Sequence, residues 1–256
     1  SNFILSQMEN GADFDPTLKF AQEKGYAEPD PSFDIEGMDA AHKIGILSSI
    51  AIGTSLPPND FYVEGIKDID STDFKYASKL GFSIKHLAVA SLTENEVQLR
   101  AHPVLVSSDS YLAGLKGVRN GIEVETDLVG TLHVAGSGAG QESTASGLIS
   151  DLVYLSNVSS NSSINLNKRI KMNIQPIDEM EFKYFFKIKT LSKDMNLNKI
   201  EKIFQKNQVS ISAENFDDFY IIIISESFIE NKKDSIMASL NNLSEVASVK
   251  SIRIEP

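Results

Sequence analysis

Residues 21–43 read Ala21-Gln-Glu-Lys-Gly25-Tyr26-Ala-Glu28-Pro-Asp30-Pro-Ser-Phe-Asp34-Ile-Glu36-Gly37-Met-Asp39-Ala-Ala-His42-Lys43. Five carboxylates, Glu28, Asp30, Asp34, Glu36 and Asp39, fall within 12 residues. Pro29 and Pro31 bias the residues before them toward extended backbone, and Gly37 permits a turn. Ala40, Ile44, Leu47 and Ala51 then recur at spacings of 4, 3 and 4, which predicts a helix over 39–52 with one apolar stripe. Asp39 and Lys43 stand one helical turn apart and share a face. With Asp39 at 0° and about 100° per residue, Lys43 lies near 40° and the stripe at roughly 80–140°. The pair is therefore expected to flank the buried stripe, where a half-buried cleft wall would stand. The same spacing fits a surface ion pair worth about 0.3–0.5 kcal/mol on an acidic first turn that suits the helix dipole. Spacing alone favours that plainer reading. So many carboxylates also admit a hard cation, but the spacing is not that of a calcium loop.

On the N-terminal side, Phe3–Met8 reads as a helix. Asp15 as N-cap with Pro16 at the first position starts another, which runs to about Lys24 and stops at Gly25. On the C-terminal side come a Gly/Pro-rich stop from Gly53 to Asn59, a short strand or turn at Phe61–Ile66 and a short helix at Ser71–Leu80. Three β-rich runs follow, Phe82–Ser91, Val97–Val106 and Gly121–Val134. Gly136-Ser-Gly-Ala-Gly140 then opens a helix from about Glu142 to Leu155. Strands mixed with helices make an α/β (α+β) layer structure.

Composition changes near residue 155. All 15 glycines lie between Gly11 and Gly147. Residues 1–155 carry 22 acidic against 10 basic side chains, and residues 156–256 carry 13 against 14. A polar stretch, Ser156-Asn-Val-Ser-Ser-Asn-Ser-Ser163, lies between the halves. This reads as a first domain over 1–155, a linker over 156–180 and a second domain over 181–256; one domain with a polar loop is the alternative. The second half reads β-α-β-β-α-β. Its strands are Lys183–Leu191, Val209–Asn215, Phe219–Ser225 and Ala247–Ile254; its helices are Asn196–Lys206 and Ile229–Leu243, and Asp217-Asp218 is the middle turn. That order is the ferredoxin-like split βαβ. A mixed sheet left with an open face favours pairing, so a homodimer is expected.

The whole chain has 256 residues and a net charge of −11. That argues against a general nucleic-acid or anionic-membrane partner. Cys is absent, which excludes disulfides, thiolate zinc sites and a cysteine nucleophile. The strongest apolar runs, such as Ile221–Ile224, are far shorter than a membrane span. A cytoplasmic protein is expected. His42, His86, His102 and His133 form no metal-binding spacing, and no metal is expected. Gly136–Gly140 has G-x-G-x-G spacing, which is not a dinucleotide fingerprint; by spacing alone it is a turn.

The pattern A-x3-G-Y-A-x2-D-P-x2-D-I-x-G-x-D-x3-K over Ala21–Lys43 resembles the signature of homoserine dehydrogenase. Glu64-Gly-Ile66, Arg100-Ala-His-Pro103, Gly138-Ala-Gly-Gln-Glu-Ser-Thr-Ala-Ser146 and Asp151 support the resemblance, which extends from Asn2 to about Leu155. It implies a mixed-sheet homoserine dehydrogenase catalytic domain followed by an ACT-type domain. It also implies interconversion of L-homoserine and L-aspartate 4-semialdehyde with NAD(P)(H). By position in that pattern, Glu28 and Tyr26 are implied to bind substrate, Asp39 and Lys43 to serve substrate binding and proton transfer, and Gly140 to lie beside the nicotinamide. Family members begin with a Rossmann domain that binds the dinucleotide. Ser1-Asn2-Phe3-Ile4-Leu5 looks like the segment just after it, so this chain is expected to be inactive alone. The ACT-type likeness implies an amino-acid effector such as threonine, although the loop from Ser192 to Leu197 lacks the glycine usual there. A non-enzymatic amino-acid-binding or interaction module is the competing reading.

Overall fold

The structure, a computed structural model, describes residues 1–53, 55–56, 61–93, 96–157, 172–192, 195–217 and 219–255. Helix α1 (Asn2–Glu9) buries Ile4, Leu5 and Met8. Helix α2 (Phe14–Glu23) is capped at Asp13, not Asp15. Pro16 still falls in the first turn, where a missing N–H costs nothing, and starting two residues earlier lets Phe14 pack on the core. Lys24 is its C-cap, and Gly25 follows with φ +69°. The acidic stretch contains one helical turn, α3 (Ser32–Ile35), which buries Ile35. Gly37 takes φ +89° and starts α4 (Met38–Ile52).

The expected stripe on α4 is overturned. The buried positions are Ala41, Gly45 and Ser48, while Leu47, Ile46 and Ile50 are exposed. By the same angular count the buried face lies about 180–240° from Asp39. Asp39 and Lys43 thus oppose the buried face rather than flank it. Hydrophobicity misled because small residues face the core here, with the Phe61 ring beside Gly45.

Strand β1 (Tyr62–Val63) and helix α5 (Ser71–Lys79) precede an antiparallel pair, β2 (Phe82–Leu92) and β3 (Glu96–Ser107). The single run expected at Gly121–Val134 is a hairpin, β4 (Arg119–Thr126) and β5 (Gly130–Ser137), turned at Gly130 with φ +79°. Helix α6 (Gln141–Asn157) follows. Residues 158–163 of the polar stretch, and Asp218 of the middle turn, lie outside the described residues. Next come β6 (Asn173–Ile174), β7 (Glu181–Thr190), α7 (Leu197–Lys206), β8 (Ile211–Asp217), β9 (Tyr220–Ser225), β10 (Phe228–Ile229), α8 (Lys233–Asn241) and β11 (Val246–Ile254). The C-terminal β-α-β-β-α-β pattern is therefore present, with sheet order β11-β7-β9-β8.

Strand β3 joins the two halves into one sheet. One edge pairs with β2 along its length. The other is shared by three short parallel partners: β6 at Glu96–Val97, β1 at Arg100–Ala101 and β11 at Val104–Leu105. Covered on both faces, β3 is buried almost throughout.

The C-terminal sheet also has both faces covered. Tyr184, Phe186 and Ile188 of β7 point toward α7 and α8. Phe185 and Ile252 point the other way, into a core with Phe74 and Tyr76 of α5 and Leu5 of α1. The open face expected to drive pairing is thus filled by the same chain.

Strand alternation also turns Lys187 toward α5. Lys187 on β7 sits directly opposite Lys250 on β11, a like-charge pairing that destabilises a sheet. Asp70 and Asp73 at the start of α5 neutralise it. Lys187 Nζ lies 2.9 Å from Asp70 and 2.6 Å from Asp73; Lys250 Nζ lies 2.7 Å from Asp70 and 2.9 Å from Asp73. Asp70 and Asp73 also form a capping box on α5. Partial burial alone would raise the Asp70 pKa, but hydrogen bonds from Lys250, Thr72 and Lys187 hold it well below its ordinary value. A depressed carboxyl contributes stability that is complete above its unfolded pKa of 3.8 and is lost as pH falls toward the folded value. Urea midpoints should therefore drop below about pH 4. Asp70→Asn should lower the midpoint at pH 7 and flatten that acid limb; an unchanged limb would remove Asp70 from the account.

Candidate functional site

The sequence-expected residues come from three places. Tyr26 follows the end of α2, donates its backbone N–H to Ala21 O at 2.9 Å and packs its ring 5.3 Å from Phe3. Glu28 is exposed on the acidic turn; Gln22 Nε2 donates to its carbonyl at 3.0 Å and to that of Pro29 at 3.0 Å, which ties the turn back to α2. Asp39 and Lys43 lie on the first turns of α4. Lys43 Nζ donates to Asp39 Oδ2 at 2.6 Å, with the two side chains 60% and 37% exposed. Ser1 Oγ donates to the carbonyl of Asp34 at 2.8 Å, which sets α1 beside this turn.

Gly140 sits before α6 with φ +113°, a conformation that side chains rarely adopt. Its carbonyl accepts from Ser143 Oγ and Thr144 Oγ1. An open groove of about 660 Å³ lies between Glu23, Lys24 and Gly25 on one side and Gly140, Gln141, Thr144, Ala145 and Leu148 on the other. The structure thus brings Asp39 to Lys43, and Gly140 to the end of α2 just before Tyr26. Glu28, Asp39 and Lys43 do not line that groove. Among the described residues, no three His, Asp or Glu side chains gather as a metal cage.

Behind the acidic turn is a packed layer that spacing did not reveal. A Cβ on Gly65 would overlap the carbonyl oxygen of Ile35, and Ile66 N–H donates to that oxygen at 2.8 Å. His86 Nε2 donates to Glu64 O at 2.8 Å, and a Cβ on Gly37 would meet the His86 ring at 2.9 Å. Burial lowers the His86 pKa even against that hydrogen bond. The ring is therefore neutral, with its proton on the nitrogen facing the carbonyl. Lys67 Nζ pairs with Glu36 at 2.8 Å from outside. The start of α4 is thus set by backbone contact with Glu64–Gly65, not by a side-chain cap.

The sequence pattern of the family described as homoserine dehydrogenase matches residues 1–153. The chain belongs to the homoserine dehydrogenase family. A homoserine dehydrogenase of Pseudomonas aeruginosa is 38% identical over 271 residues, covering 99% of this chain and 62% of the relative. That of Helicobacter pylori is 32% identical, covering 99% and 58%. The crystal structure of a homoserine dehydrogenase from Thiobacillus denitrificans superimposes with a TM-score of 0.88 at 34% identity, over 99% of this chain and 61% of that one. The mixed α/β fold therefore matches that of homoserine dehydrogenases. The chain spans about three fifths of the length of these relatives.

Proposed function

We propose that this chain supplies the substrate half of an oxidoreductase of amino-acid biosynthesis that interconverts L-homoserine and L-aspartate 4-semialdehyde with NAD(P)(H). The observation that carries the reading is the Asp39–Lys43 contact at the head of α4 in a chain of this family, beside a turn rich in carboxylates. An amino-acid ammonium calls for carboxylates, and exposed Glu28 offers one. Tyr26 lines the same turn. As the substrate oxygen gains or loses its proton, Lys43 Nζ stands as the nearby cation and proton relay, with Asp39 orienting it.

The cofactor, when bound, carries the hydride. Gly140 fits its flat ring end: it has no side chain, and the space on its Cβ side is open to within 3.8 Å of Ser143 Oγ. The phosphates would be held elsewhere, because Gly136–Gly140 lack the spacing of a phosphate turn. Calorimetry on this chain should give homoserine binding that Glu28→Ala weakens by about tenfold or more, the cost of leaving a charged partner unmade. Binding unchanged in Glu28→Ala would remove that residue from the site.

We further propose a homodimer formed through the hairpin and α6. Cross-strand pairs Ile122↔Val134 and Val124↔Leu132 make an exposed apolar stripe. Helix α6 buries no residue, and Leu148, Ile149, Leu152, Val153, Tyr154 and Leu155 are 55–65% exposed. A 17-residue helix with no buried face gains nothing from packing and marks an interaction surface. Sedimentation should give twice 28.1 kDa, and Leu152→Glu with Val124→Glu should give the monomer. A wild-type monomer at tens of micromolar would refute the dimer.

The domain division at 1–155, 156–180 and 181–256, and an ACT-type role for the last unit with an amino-acid effector such as threonine, are part of the same reading; the β-α-β-β-α-β order supports it. No helix among the described residues is long and apolar enough to cross a membrane, which accords with a cytoplasmic place.

A further inference from the structure

Arg253 is 3% exposed and lies on β11, near the end of the chain. Its guanidinium divides between two carboxylates. Nη2 and Nε donate to Glu230 at 2.7 and 3.2 Å, and Nη1 donates to Glu64 Oε2 at 2.9 Å. Glu230 belongs to the turn leading into α8 of the C-terminal unit. Glu64 belongs to the segment that backs the acidic turn. The same Glu64 oxygen accepts from Tyr62 OH at 2.7 Å, and the Tyr62 ring lies 4.5 Å under the guanidinium.

Both ends of this connection are held. On one side β11 joins β3, and Glu255, two residues beyond Arg253, receives Arg100 through two hydrogen bonds of 2.7 and 2.9 Å. On the other side Glu64 N–H donates to Ala101 O at 2.8 Å, His86 holds the Glu64 carbonyl, and Gly65 lies against the backbone of Ile35 and Glu36. Gly37 and α4 come next in the chain. Removing Arg253 would strip the Glu64 carboxylate of its one guanidinium and leave Glu230 buried with the Lys233 ammonium.

We propose that Arg253 is a positioning residue for the candidate site: through Glu64 it holds the Glu64–Gly65 segment against the acidic turn and so fixes the start of α4, on which Asp39 and Lys43 sit. The C-terminal strand is then part of the substrate half. This inference rests on the substrate reading above for its functional meaning, but not for its geometry. Burial raises the Tyr62 pKa to about 12, so its hydroxyl remains a donor to Glu64 at working pH.

The test uses this chain. Amide hydrogen exchange is followed at residues 35–41, with homoserine binding measured in parallel, in the wild type, Arg253→Met, Arg253→Lys, Glu64→Gln, Glu230→Gln and the Arg253→Met/Glu64→Gln double variant. Arg253→Met and Glu64→Gln should each speed exchange at 35–41 by about tenfold, and the double variant should go no further, because both cut one connection. Arg253→Lys should recover part of the protection; a single ammonium cannot span both carboxylates as a guanidinium does. Glu230→Gln should lower the unfolding midpoint yet spare those amides. Wild-type exchange in Arg253→Met, additive effects in the double variant, or an equal loss in Glu230→Gln would each overturn the proposal. If Arg253→Met does not fold, Glu64→Gln alone decides by the same amides. A wild-type chain that binds no homoserine would refute the substrate reading, and the exchange data would still judge the positioning role.

Discussion

In a form of the protein competent for turnover, Lys43→Ala should lower kcat by about 10²–10⁴-fold, the range for loss of a positioned proton-transfer group. Homoserine affinity should change much less, because in the proposed site the carboxylates of the acidic turn, not Lys43, meet the ammonium of the substrate. Asp39→Asn should fall between the two, since it leaves the lysine in place but removes the charge that orients it at 2.6 Å. Steady-state kinetics with separate kcat and KM decide the matter. A Lys43→Ala variant that turns over like the wild type would reduce the pair to an exposed i, i+4 contact worth about 0.3–0.5 kcal/mol.

The largest loss of stability is expected for Asp73→Ala. Asp73 is fully buried and meets both Lys187, itself 7% exposed, and Lys250. Its removal leaves two lysines facing each other across β7 and β11 with Asp70 alone, and it breaks the capping box of α5. Breaking a buried ion pair from one side costs about 3–5 kcal/mol, so urea unfolding should shift by an amount of that order. Replacing Lys187 by Met together with Asp73 by Leu should recover much of the loss, because the charges then leave as a pair. A single Asp73→Ala effect below about 1 kcal/mol would mean that the pair is solvated after all.

Most elements could be read from the sequence, because their patterns are local. The helix at Phe3–Met8, the two long strands and the β-α-β-β-α-β order follow from periodicity and from Gly, Pro and Asn punctuation. The face of α4 could not be read in this way. Its core side is built from Ala41, Gly45 and Ser48, whose small size matters more than their polarity, while Ile46 and Ile50 lie outward. The hairpin inside Gly121–Val134 was legible only at Gly130, whose positive φ the sequence does not announce. Asp39 and Lys43 were legible as a pair through their i, i+4 spacing. The contacts behind them were not, since Arg253 and Glu64 are 189 residues apart. The separate α5 cluster did carry a signal: Lys187 stands in the apolar run Phe185-Phe-Lys-Ile188, and a charge in a buried strand requires a partner from elsewhere, here Asp70 and Asp73.

Strand β3 has one further consequence, for the order in which the chain can be completed on the ribosome. Its second edge is assembled from three fragments that emerge far apart, at residues 62–63, 173–174 and 253–254. Until the last of these is made, Val104 and Leu105 present bare backbone amides and carbonyls along that edge. A nascent or prematurely terminated product therefore carries an unpaired strand, open to pairing with other chains, and the slowest contact to form closes a loop of about 150 residues.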